Sequence, residues 1–560
     1  MKFNEMKYKR PEEEKVKKEF ENFIAKIKNA KDGKEVTDTI SEFQDFYKDL
    51  TTMGTLVSIR NSCDVNDKFY DEEKIFFNDF YPVVQTLYSE FAKAVTGSKY
   101  RDDIKNKFGQ HYLDLLECSL IYKEEAVPYL QRENELILEY DKLIANSKVE
   151  IDGKTYTLTQ LGPMLESVDR EKRKEVYEKR WNFFKEYEEK IDEIYDSLVK
   201  TRDEMAKALG YKDYIEFRFK DLCRTDYDRE NVKAYREKIL KYITPLAVKL
   251  REDQAKELGL NDFKFYDRAV EYKEGNPNPV GDKDFIVNKA QEMYGELSKE
   301  TKEFFDFMVE NELLDLDARP GKMGGGYCTT LDKYKAPFIF ANFNGTRGDI
   351  GVVTHEAGHA FQSYMAKDMP LAEYVWPTYE ACEIHSMSME FLTWPWMDLF
   401  FEDADKFKYA MLKDAICFLP YGVTIDHFQT WVYENPDATP EERKAKYREI
   451  ETMYQPDLSY DNEFLEKGTY WFTQPHVFGS PLYYIDYTLA QVLAFQYALK
   501  YLEDRDKTLE EYIGLCKAGG SEPFFKLIDI GKLKNPMTTD VIGEIKPKLE
   551  NLLNEIKSKH

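Results

Sequence analysis

Apolar residues recur every three to four positions along most of this chain, with Lys and Glu between them, and that period is helical. The pattern runs from Pro11 to about Lys48. It returns over residues 71 to 146, where Phe76, Phe77, Phe80, Val83, Val84 and Leu87 form an apolar stripe. The charges between such positions are a solvated face, because apolar residues keep interrupting them. At Lys148 to Thr157 the period shortens to two around Asp152-Gly153, which predicts a short β-hairpin over about 148–158. Helical spacing resumes at about Thr159, with Asp169 to Ala208 as one long helix or two abutting ones. It continues over 228 to 257, 282 to 313, 397 to 434 and 440 to 453. The stretch Asn261 to Asp282, with two prolines between Gly275 and Gly281, reads as a surface loop. Gly321 to Gly345 again breaks the helical texture, and it predicts two short β segments joined by a polar turn. The expectation is a mainly α chain with one small sheet, and no repeat of fixed period is visible.

That sheet lies just before the most informative stretch, Val353 to Gln362, which contains His355-Glu356-Ala357-Gly358-His359. On a helix, positions i and i+4 lie one above the other, so both imidazoles can reach one metal ion. Glu356 sits one residue further round, where a carboxylate can act on a water beside the metal without being a ligand. Zinc held by such a set keeps an open position, acidifies water and polarises a carbonyl. A third protein ligand is needed. A histidine six residues after the second one is excluded, because Met365 stands there and Gln362 replaces the glycine before it. A carboxylate from a second helix is the alternative, and Pro377 to Leu392 reads as that helix, with Glu380, Glu383, Met387 and Glu390 on one stripe. Glu383 is the preferred ligand, with Glu380 and Glu390 orienting the histidines, although helix geometry alone admits Glu380 in its place.

Two further stretches add candidate chemistry. The glycines before Tyr327 leave a strand with small neighbours, where an extended peptide can add as another strand; Gly325, Gly326 and Tyr327 are therefore candidate substrate-lining residues. Further on, a Gly479-Ser480-Pro481 loop follows His476 and leads into a helix with Tyr484 and Tyr487 one turn apart. Amide hydrolysis needs donors aimed at a developing oxyanion, and imidazole and phenol are such donors. The remaining histidines, His111, His385, His427 and His560, read as packed or solvated.

A net charge of −25 over 560 residues argues against nucleic acid and anionic membranes as partners. No run approaches the ~20 apolar residues of a membrane span, and the opening Met1 to Pro11 has no apolar core, so no secretory leader is expected. The 7 cysteines are scattered and never in C-x-x-C spacing, which points to reduced thiols in a cytoplasmic protein and not to a cysteine metal site.

The motif His355 to His359, the helix Glu383-Ile-His-Ser-Met-Ser-Met-Glu390, the Gly325-Gly-Tyr-Cys328 strand, and His476 with Tyr484 and Tyr487 together resemble the M3 family of zinc oligopeptidases, the oligoendopeptidase F and thimet oligopeptidase group. The run around Asp169-Arg-Glu-Lys-Arg173 is similar to that family's helical N-terminal region, so the likeness covers most of the chain. The resemblance implies a two-lobed, zincin-like helical body with a deep substrate channel, divided into an N-terminal region over 1–190 and a catalytic region over 191–560. It implies one Zn2+ per chain held by His355, His359 and Glu383, with Glu356 as general base acting on short peptides. It implies His476, Tyr487 and Tyr484 as stabilisers of the transition state. The family often carries further tyrosines or glycines where this chain has Ser480-Pro481-Leu482, so Tyr483 stands beside Tyr484 as an alternative in register and as a substrate contact. A zinc dipeptidyl carboxypeptidase is the nearest other activity and would need a cation for a substrate carboxylate. A non-catalytic helical binding protein with a structural metal is the other class, and it would need a fourth protein ligand.

Overall fold

The computed structural model describes residues 1–559; His560 lies outside the described residues. Helices dominate, and their boundaries follow the capping chemistry of the sequence. Asp32, Asp67, Asp169, Asp213, Asp228 and Asp282 each accept a backbone N–H from the turn they start. The Asp32 cap splits the expected Pro11-to-Lys48 segment into Glu13–Asn29 and Gly33–Cys63. The stretch from Asp169 folds as two abutting helices, Arg170–Glu186 and Glu188–Ala208. Asn261 to Asp282 is less of a surface loop than its prolines suggest. Tyr266, Asp267, Val270, Glu271 and Tyr272 are buried, and Asp267 accepts hydrogen bonds from Arg170 and Arg173.

Two apolar cores organise these helices. The smaller gathers Phe20, Phe43, Phe91, Ile104 and Leu113 from the N-terminal helices, with the Phe43 and Phe91 rings stacked at 3.7 Å. The larger takes in most of the remaining chain. Leu371 and Tyr374 reach from beyond the H-E-x-x-H helix into the smaller core, and Tyr374 donates to the Phe108 carbonyl at 2.7 Å. The two cores are thus joined close to the candidate site.

Among the described residues five short strands complete the fold. The hairpin of β1 (Val149–Ile151) and β2 (Lys154–Tyr156) turns through Asp152 and Gly153, both with positive φ. The sheet before the motif has three strands where the hydrophobic pattern indicated two: β3 (Leu314–Asp317), β4 (Tyr327–Leu331) and β5 (Ala336–Phe343). Their order is β3-β5-β4, with β5 central, parallel to β3 and antiparallel to β4. Leu-Asp-Leu-Asp at 314–317 alternates with period two, but four residues after a helix are too few to stand out. The outer side of β4 is left as a sheet edge.

Beneath this sheet runs the motif helix, Gly348–Ala366. The acid helix, Tyr379–Leu392, lies between it and the tyrosine helix, Tyr484–Glu503. Gly358 permits the first of these contacts. A Cβ there would stand 2.6 Å from His385 O and from Ser386 Cα. Backbone cannot yield as a side chain tip can, so any larger residue would push the helices apart and carry Glu383 away from the histidines.

Candidate active site

The crossing brings His355, His359 and Glu383 together. Their ligand atoms lie within 4.8 Å of one another. His355 Nε2 and His359 Nε2 are each 3.4 Å from Glu383 Oε2, so a single carboxylate oxygen faces both rings. Ser386 Oγ donates to the same oxygen at 3.0 Å and fixes its direction. Glu390 Oε1 lies 2.7 Å from His355 Nδ1, which leaves Nε2 free to face the cluster. Burial pushes the Glu383 carboxyl up, but the two histidines more than offset this and hold it well below the ordinary range. Burial also works against charge on His355, yet Glu383 and Glu390 raise it well above its usual value. This is the electrostatics of a cation site: two imidazole nitrogen donors and one carboxylate oxygen, with a further carboxylate, Glu390, behind them.

Glu380 is elsewhere, and the expectation that it orients the histidines is corrected. It accepts from Tyr227 and lies 3.5 Å from Arg224 Nε. The reason is angular: Glu390 is seven residues from Glu383 and returns to within about 20° of it, whereas Glu380 is three residues away and offset by about 60°.

Glu356 shares the motif helix, and the edge strand approaches it. A Cβ on Gly326 would stand 3.9 Å from Glu356 Oε1 and 3.3 Å from Phe340 O. A side chain at 326 would crowd the Phe340 carbonyl and stand in contact with Glu356. Asn342 Nδ2 donates to the carbonyls of Gly325 and Met323, at 2.9 and 2.8 Å, and shapes the turn. Tyr327 stacks on Phe340 at 4.9 Å, so its ring serves the sheet.

Across the site stand His476 and the tyrosines. Tyr483 donates its hydroxyl to Glu383 Oε1 at 3.0 Å, and the Tyr487 hydroxyl lies 3.3 Å from His476 Nε2. Tyr484 packs its ring against Phe418, Tyr421 and His476, with ring centroids 5.9, 5.8 and 5.2 Å away. One residue of register decides this. Tyr483 is the cap of its helix and its hydroxyl reaches the acid helix, while Tyr484 begins the helix and lines the cavity beside His476.

The motif reading did not include Gln474, two residues before His476. Tyr421 donates to Gln474 Oε1 at 2.7 Å, which turns the amide nitrogen toward His476 Nδ1, also at 2.7 Å. Nδ1 therefore accepts, and the proton of the neutral ring sits on Nε2, the nitrogen facing Tyr487. Burial lowers the His476 pKa below the ordinary histidine value, which keeps the ring neutral at pH 7.

Beside these residues opens a cavity of about 510 Å³, walled by Met387, Met397, Phe407, Met411 and Phe418 and reaching His476 and Tyr487. Its one guanidinium, Arg347, is paired with Asp414 at 2.8 Å, and Glu166 and Glu390 also line it.

A mainly helical body with two histidines and a carboxylate on crossing helices, under the free edge of a small sheet, is the architecture of a metallopeptidase. The chain belongs to peptidase family M3: that family's model matches residues 163–546, and the model of the M3 N-terminal domain matches residues 3–121. A solved structure of PZ peptidase A with an inhibitor is 46% identical over 99% of both chains, with a TM-score of 0.96. The group B oligopeptidase PepB of Streptococcus agalactiae is 22% identical over 64% of this chain and 59% of its own length. An oligoendopeptidase F homolog of Lactococcus lactis is 23% identical over 70% of this chain and 65% of its own. The chain thus spans about six tenths of the length of these two relatives. Among the described residues no helix is long and apolar enough to cross a membrane.

Proposed function

We propose that this chain is a zinc endopeptidase that hydrolyses internal bonds of short oligopeptides. The observation that carries the reading is the convergence of His355 Nε2 and His359 Nε2 on Glu383 Oε2, each at 3.4 Å, with Glu356 on the same helix. The donor set fits one zinc ion, and no fourth protein ligand is among the clustered groups. Zinc held there supplies Lewis acidity at a carbonyl oxygen and makes water a better nucleophile near neutral pH.

The chain's own residues then divide the work. Glu356 takes a proton from the attacking water and returns it to the leaving amine. His476 Nε2–H and the hydroxyls of Tyr483 and Tyr487 donate to the oxyanion from the opposite wall. Tyr483 takes the place first assigned to Tyr484, because its hydroxyl reaches Glu383. The β4 edge receives an extended peptide, with Gly325 and Gly326 keeping the approach to Glu356 open.

The family and the oligopeptidase names of the relatives support short peptides as substrates. The cavity rim supports internal cleavage. Arg347 is already neutralised by Asp414, and with Glu166 and Glu390 nearby the rim is a poor host for a substrate carboxylate. All seven cysteines are free, as a reducing cytoplasm would keep them. We retain the division into a helical N-terminal region over 1–190 and a catalytic region over 191–560 as part of this proposal.

Glu356→Gln tests the chemistry. We expect kcat/KM to fall about 10³-fold with one zinc per chain retained. Near-normal turnover in that variant would remove Glu356 as base. Cleavage within a peptide amidated at its C-terminus separates this activity from a dipeptidyl carboxypeptidase.

A further inference from the structure

The chain from His476 to Tyr483 carries the donor side of the site, yet little regular structure supports it. A five-residue helical turn, Pro475–Gly479, is followed by a tight turn at Ser480 to Leu482. Leu482 takes a φ of 60°, a region that non-glycine residues rarely adopt. Such a backbone persists only where its surroundings over-determine it.

The surroundings are three arginines from the preceding part of the chain. Arg202, on Glu188–Ala208, donates through Nη2 to Phe478 O. Arg218, on Tyr214–Asp221, donates through Nε to Pro481 O at 3.0 Å. Arg224, just after that helix, donates through Nη2 to Leu482 O at 2.7 Å. Each guanidinium has its own carboxylate: Glu133 for Arg202, Asp221 for Arg218, and Asp486 at 2.7 Å for Arg224. Their side chains are 0%, 17% and 1% exposed. Burying three cations around one turn costs heavily unless every one is paired. A planar fork can bond a carboxylate and a carbonyl at once, which an ammonium on a flexible stem does less well. Arg224 does both with one nitrogen, tying the turn to the first turn of the tyrosine helix through Asp486.

We propose that Arg202, Arg218 and Arg224 are positioning residues that clamp the 478–482 carbonyls and so place the Tyr483 side chain beside Glu383, from where its hydroxyl turns to the oxyanion when substrate is bound. This rests on the reading of Tyr483 as a donor in the proposed peptidase. The clamp touches neither substrate nor metal ligand; it acts through the turn.

The test is a double-mutant cycle on the full-length, zinc-loaded chain, using Arg224→Lys and Tyr483→Phe with a peptide substrate. Arg224→Lys alone is expected to lower kcat about tenfold with KM and zinc content unchanged, and to speed amide exchange at residues 478–483. In the Tyr483→Phe background the same substitution should cost less than about twofold in kcat, because the group it positions is gone. Equal losses in both backgrounds, or unchanged exchange at 478–483, would overturn the clamp and leave the peptidase reading intact. Full activity of Tyr483→Phe by itself would instead overturn the donor assignment, and the clamp with it. Should Arg224→Lys fail to fold, Arg218→Lys runs the same cycle from the more exposed site, with the same expected non-additivity.

Discussion

The two walls of the site are built in opposite ways. His355, His359 and Glu383 stand on two long helices, and their meeting needs helical spacing plus one close crossing at Gly358. His476 and Tyr483 flank an irregular turn, and Gln474, Arg202, Arg218 and Arg224 hold that wall from outside. A helix fixes side-chain directions with its own backbone hydrogen bonds, so its ligands come pre-aimed. A turn has few such bonds, and its geometry must be imposed by remote donors. The first wall is therefore robust except at its ligands and its crossing point. The second can be weakened from several places that never touch a substrate.

The largest effect should come from breaking the helical wall at its acid. Glu383→Gln removes the negative charge that faces both imidazoles. Metal analysis should find the variant without stoichiometric zinc, with kcat/KM down at least about 10³-fold. Zinc retained at one per chain would mean that the third ligand lies elsewhere.

The other wall should respond in kcat and not in metal content. Tyr483→Phe is expected to lower kcat about 10²-fold while zinc stays bound, and Tyr484→Phe less than about threefold. The reverse ranking in steady-state kinetics would return the donor role to Tyr484 and undo the register assigned here.

The smallest effect concerns the amide that sets the His476 tautomer. The His476 pKa is lowered by burial, so the ring gains its second proton only below the usual histidine value near 6.5. A carboxylate at position 474 would accept a proton from Nδ1 and favour the imidazolium. Gln474→Glu should thus raise the His476 pKa by about one unit in an NMR titration of the labelled ring. An unmoved titration would show that Gln474 does not determine which nitrogen carries the proton.

Much of the first wall was legible in the residues. The i, i+4 histidines and the Glu383–Glu390 stripe depend only on helical periodicity, which a sequence displays directly. Glu380 shows where that ends: it sits on the same stripe, but its 60° offset matters only once the partner helix is placed. The hairpin at Asp152-Gly153 was equally visible, because turn chemistry is local.

The amino-acid order by itself determined the helices, their aspartate caps and the motif, since each depends on neighbours within a turn or two. Only the tertiary structure decided that Tyr483 and not Tyr484 meets Glu383, that Gln474 directs the His476 proton, and that arginines more than 250 residues away brace Pro481 and Leu482. The physical reason is range. Backbone periodicity acts over a few residues, whereas a buried guanidinium goes to whichever carbonyl and carboxylate the packed chain brings within 3 Å, and no local pattern encodes that meeting.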